Sequence, residues 1–191
     1  MLTVNQLLQW LSGGDLRSDG LSNEVVDAVL QQPHLLDDLM EGLDSQDEVI
    51  RGRTADALEK IARSPPDVLI DHLQNLISLA LTDQVPMVKM HLAMLFGHLF
   101  MYEERASELI SALLALSDDE SVFTVSWAIV SLCIFAKRYP SKNNQILEQI
   151  ARLKLHKSIA IRSRVGKAVE LLTNEGASFP KEWLKSNFYK R

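Results

Sequence analysis

The sequence predicts an all-α protein, a short α-solenoid of about four helix pairs with capping helices at its N-terminus. Three observations carry this. Apolar residues recur at helical spacing nearly everywhere, and alternating strand patterns are absent. Proline and glycine fall mostly between apolar runs, with Gly52, Gly97 and Gly166 as the exceptions inside expected helices. A nine-residue pattern also recurs four times, beginning at Ile50, Val88, Phe123 and Ile161.

The sixth position of that pattern holds a small residue each time: Ala55, Ala93, Ala128 and then Gly166, at steps of 38, 35 and 38 residues. A period near 40 with two helices per unit marks a stacked helical repeat. The first helix of each unit is expected near 35–43, 68–81, 104–116 and 144–155, ahead of its nine-residue segment. Ser64-Pro65-Pro66 and Tyr139-Pro140-Ser141 separate units, because proline starts or ends helices. Residues 1–32 read as one or two capping helices, broken at Gly13-Gly14, with Ser22 as an expected N-cap. Residues 33–175 hold the repeats and residues 176–191 form a tail, all in a single domain.

The turns carry a second pattern. Asp44 precedes Arg51 and Asp83 precedes Lys89. Asp118 precedes Thr124, where the cation is missing, and His156 precedes Arg162, where the acid is missing. With the repeat, this resembles the HEAT-repeat class, whose pattern places an aspartate in the intra-unit turn and a cation about six residues later. An acid at a helix start accepts backbone N–H bonds and meets the positive end of the helix dipole. The cations are expected to pair with these acids or with those of adjacent units, as a stacking ladder.

Helical wheels separate the end units from the central ones. The first unit's second helix has a core stripe of Ile50, Thr54, Ala57, Leu58 and Ile61 opposite the polar Gly52, Asp56, Glu59 and Arg63. The second presents Met90, Met94, Gly97 and Met101 opposite its core stripe, and the third presents Val125, Ile129, Leu132 and Ala136. The fourth reverts to Ser163, Lys167 and Glu170. The resemblance implies that second helices line the concave face. Met90, Met94, Met101, Val125, Ile129 and Leu132 are therefore the expected groove for a partner's apolar helix. The competing expectation is that the chain covers this strip itself, with the N-terminal helix bearing Trp10 or with the segment 179–189, or that a short, tightly curved solenoid buries it internally.

Charge runs along the chain. Residues 1–50 hold ten acids and one base, residues 51–120 eleven acids and six bases, and residues 121–191 four acids and thirteen bases. The formal net charge is −5. Lys154, Lys157, Arg162, Arg164 and Lys167 form a basic cluster, and the tail interleaves cations with Trp183, Phe188 and Tyr189. That combination suits nucleic acid, and HEAT-like DNA glycosylases give the resemblance a nucleic-acid precedent, although their active-site pattern is not matched here. The acidic first half opposes this reading.

Chemistry is sparse. His91 and His98 share a helix face but stand about 10 Å apart along it, too far to share one metal. Cys133 lies alone in an apolar run, so no internal disulfide is possible. No phosphate loop or nucleophile elbow occurs. The expectation is therefore a cytoplasmic, non-enzymatic adaptor, scaffold or assembly factor without metal or cofactor. It would bind another protein or itself, and not a membrane. The alternatives are a nucleic-acid binder using the basic end, and an acidic inhibitor or immunity-type partner of a basic protein.

Overall fold

The computed structural model describes residues 3–64 and 66–185. Pro65 and the tail residues Phe188 and Tyr189 lie outside the described residues.

Two short helices come first, α1 (Val4–Leu11) and α2 (Ser22–Gln31). Four helix pairs follow: α3 (Leu35–Met40) with α4 (Glu48–Ala62), α5 (Leu73–Thr82) with α6 (Pro86–His98), α7 (Ala106–Leu116) with α8 (Val122–Arg138), and α9 (Asn143–Arg152) with α10 (Ile159–Thr173). Among the described residues there are no strands, and no helix is long and apolar enough to cross a membrane. Three of the four first helices begin in 3-10 turns, at Pro66–His72, Glu103–Arg105 and Pro140–Lys142. Two more 3-10 turns close α3 and α9, so each expected first helix is found with at least one end tightened, and a last one, Lys181–Trp183, lies in the tail.

Local chemistry explains the starts. Thr3 and Gln6 form a reciprocal capping box on α1. Asp47 accepts the Val49 N–H at 2.8 Å at the head of α4, Pro86 sits in the first turn of α6, and Ser121 accepts the Thr124 N–H at 3.3 Å at the head of α8. Ser22 does not cap α2. Leu21 holds that position without a side-chain bond, and the Ser22 hydroxyl instead donates to the Asp56 carboxylate.

The second helices pack one on the next, α4 on α6, α6 on α8 and α8 on α10. The first helices lie outside them, with α5 beside α7. α1 lies against α3 and α2 against α4, so the N-terminal pair continues the stack. Phe96 and Phe135 are the largest fully buried side chains. At the α6–α8 crossing a Cβ on Gly97 would stand 2.5 Å from Ser131 Oγ, so the close approach requires glycine there.

The turn ladder forms with a changed register. Arg51 Nε reaches Asp83 Oδ2 of the next unit at 3.0 Å, and Lys89 Nζ reaches Asp119 Oδ2 of the next at 2.8 Å. The same turn atom recurs in all four units. Ser45, Asp83, Asp119 and His156 each accept the N–H two residues on, at 3.1, 2.7, 2.8 and 3.0 Å. The turn acceptors are thus Ser45 rather than Asp44 and Asp119 rather than Asp118. His156 performs the acid's role through its Nδ1. Arg162 donates to the carbonyls of its own turn, His156 and Lys157.

Candidate functional site

The second-helix face is closed over rather than open. Val125, Ile129 and Leu132 have at most 1 % of their surface exposed, and Met90 and Met94 are also buried. Only Met101 of the six expected groove residues is exposed, and it lies beyond the end of α6. The strip therefore is not an open groove. Its physical reason is twofold: the second helices bury their flanks in one another, and chain segments from both ends lie over what remains.

At the N-terminal end the cover is the loop 12–21, not the helix bearing Trp10. Leu16 packs against Gly52. Arg53, almost wholly buried, holds the loop by its main chain. Its Nη1 donates to the carbonyls of Leu11, Ser12 and Gly13 at 2.9, 3.0 and 2.8 Å, its Nη2 to Asp15 at 3.1 Å and its Nε to Ser18 at 3.0 Å. All three guanidinium nitrogens are used: the two N–H groups of Nη1 are shared among three carbonyls, and Nη2 and Nε each hold one more. Gly20, at φ +57°, lets the loop pass directly over that guanidinium.

At the other end the segment 176–185 folds back. Trp183 is 2 % exposed, and the Arg164 guanidinium lies between the Trp127 and Trp183 rings at 5.7 and 5.6 Å. Lys185 reaches over Trp127 at 5.9 Å, and Lys167 pairs with Glu182 at 3.4 Å. Of the expected basic cluster, Arg164 is thus turned inward and Lys167 is paired. Lys154, Lys157 and Arg162 remain exposed around the α9–α10 turn.

Between the two covers lies a buried polar network that the wheels had placed on an ordinary polar face. Glu59 has no exposed surface, and Asp56 is 7 % exposed. Glu59 Oε1 accepts from His98 Nε2 at 2.7 Å and from Arg63 Nε at 3.0 Å, and Oε2 accepts from Arg63 Nη2 at 2.5 Å. Burial alone would raise the Glu59 pKa. The His98 and Arg63 hydrogen bonds outweigh it and hold the carboxyl at about 2. Asp56 Oδ2 takes the Ser22 hydroxyl and, at 2.7 Å, Lys60 Nζ. His91 brings its Nδ1 to 3.7 Å from Asp56 Oδ1, and that nitrogen is buried without a hydrogen-bond partner. Burial pushes the His91 pKa down against the pull of Asp56 and Glu59. Cys133 is fully buried and its thiol is pushed up by burial.

No family model and no curated protein matches the sequence. Solved structures do match the fold. A computationally designed armadillo repeat protein for modular peptide recognition aligns at 16 % identity and TM-score 0.61, covering 88 % of this chain and 81 % of that one. A second designed armadillo repeat protein aligns at 15 % and 0.59, covering 88 % and 82 %. An engineered protein from a structural genomics programme aligns at 16 % and 0.60, covering 88 % and 78 %. At these identities the likeness carries the fold alone: the chain has an all-α helical-repeat solenoid fold like that of these armadillo repeat proteins.

Proposed function

We propose that this chain is a protein-binding repeat scaffold whose second-helix face takes an extended segment of a partner protein. The observation that carries the reading is the grip of Arg53 on five main-chain carbonyls, that of Leu11 at the end of α1 and four in the loop 12–21. Main-chain recognition by a rigid helix face does not depend on the bound sequence, and it is the chemistry a peptide-binding surface needs. Arg164 and Trp127 add an aromatic nest at the other end, filled by the chain's own Trp183. The likeness to a repeat protein designed for peptide recognition supports the same reading.

On this reading the segment 176–185 holds the place of a partner segment that carries an aromatic residue. The apolar groove expected from Met90, Met94, Val125, Ile129 and Leu132 has no part in it, because those side chains serve the stack. The test is selection from a library of extended peptides by the chain lacking residues 176–191. Enrichment of peptides with one tryptophan or tyrosine, abolished by Arg164→Ala, is expected. A helical truncated chain that enriches no peptide would contradict it.

A further inference from the structure

The network between α4 and α6 contains a set of donors that the stack does not explain. Asp56 and Glu59 are one helical turn apart on α4, and His91 faces them from α6. One ligand atom from each of the three lies within 4.8 Å of the other two. All three residues are buried. His91, 8 % exposed, directs into this set the Nδ1 that has no hydrogen-bond partner. A buried ring nitrogen without a partner is costly in a folded protein unless something binds it.

We propose that Asp56, Glu59 and His91 form a site for a divalent first-row transition ion, with zinc as the representative. A nitrogen with two carboxylate oxygens is a donor set such ions accept, and three protein ligands leave one position for water or another donor. The spacing fits. Two donors each about 2.1 Å from a tetrahedral ion stand roughly 3.4 Å apart, and His91 Nδ1 lies 3.7 Å from Asp56 Oδ1. A cavity of about 10 Å³, lined by Ser18, Asp19, Asp56 and His91 among others, adjoins the set. That is space for one water-sized body and no more.

The surroundings supply the outer partners that orient ligands in metal sites. The Ser22 hydroxyl and Lys60 hold Asp56 Oδ2, which turns Oδ1 toward His91. His98 and Arg63 hold the Glu59 carboxylate. The two cations now neutralise the two acids, so an ion must displace part of their hold. Both can yield. Lys60 has Asn23 Oδ1 at 2.8 Å, Ser22 Oγ at 3.0 Å and Asp19 Oδ2 at 3.4 Å as other partners. The Arg63 side chain is one-third exposed at the end of α4, so water can replace part of its hold on Glu59.

This site is independent of the peptide-binding reading and stands or falls alone. The test is titration of the metal-free full-length chain with Co²⁺, followed by its visible d–d bands, and with Zn²⁺ by calorimetry. One ion per chain is expected, with affinity reduced at least tenfold by His91→Ala and by Asp56→Asn and unchanged by His34→Ala, which alters an exposed histidine. Helicity is checked for each variant, and His91→Gln replaces His91→Ala if the latter unfolds. Absence of saturable binding, or binding that survives both His91 and Asp56 substitutions, overturns the proposal. Binding lost in His34→Ala but not in the His91 variant overturns it equally.

Discussion

His98 Nε2 lies 2.7 Å from Glu59 Oε1, and the two side chains are 4 % and 0 % exposed. A buried carboxylate is tolerable only with such partners, because an unpaired buried charge is costly. Glu59 therefore ties α4 to α6 through a bond whose strength depends on its ionisation.

That bond predicts acid sensitivity. The folded pKa of Glu59 is depressed from 4.5 to about 2. Its contribution, roughly 3 kcal/mol from the size of the shift, is complete above about pH 4.5. It is lost as pH falls toward 2. Urea unfolding across this range is expected to show a fall in stability that Glu59→Gln flattens. His98→Ala is expected to move the fall to higher pH, because it removes a hydrogen bond that holds the carboxyl down.

The turn ladder predicts an asymmetry between its partners. Asp83 binds both Arg51 and the Val85 N–H, at 3.0 and 2.7 Å. Arg51→Ala is expected to cost about 1 kcal/mol and Asp83→Ala about 2, since the latter also loses the turn bond from the Val85 N–H. A double-mutant cycle measured by chemical denaturation isolates the pair.

At the α6–α8 crossing, Gly97→Ala is expected to destabilise by about 1–3 kcal/mol through overpacking against Ser131. Adding Ser131→Ala removes the clashing hydroxyl, at the expense of its 2.7 Å bond to the Ala93 carbonyl. The two losses are expected to sum to more than the double variant shows in thermal unfolding.

Arg53→Ala removes the one side chain that holds the loop 12–21 by its carbonyls. The Arg17 side chain in that loop is 91 % exposed. Trypsin is expected to cleave after Arg17 severalfold faster in Arg53→Ala, while far-UV circular dichroism keeps its helical signal.

The stack was legible because its core positions recur locally. Leu58, Leu92 and Val130 fall on predictable stripes, and all are buried as their stripes require. The register of the third unit was not, because Asp118 and Asp119 are adjacent acids and only the bond to Ser121 N–H selects between them. His156 reads as a gap in the acid pattern, because nothing in the sequence shows that its ring nitrogen takes a carboxylate's place at the turn. The covering of the second-helix face was out of reach for a different reason. Arg53 meets carbonyls 35 to 42 residues away in sequence, and main-chain acceptors leave no mark in composition. For the same reason Asp56 and Glu59 read as a polar surface, and a cluster that joins them to His91 across two units has no sequence spacing to announce it.

The central claim is that the second-helix face binds extended segments. It is tested most directly by adding a fluorescent peptide of residues 176–185 to the chain lacking residues 176–191 and measuring anisotropy. Saturable binding is expected, weakened at least tenfold when the peptide carries Trp183→Ala or the chain carries Arg164→Ala. A truncated chain that remains helical and does not bind the peptide, or binds both forms equally, would contradict it.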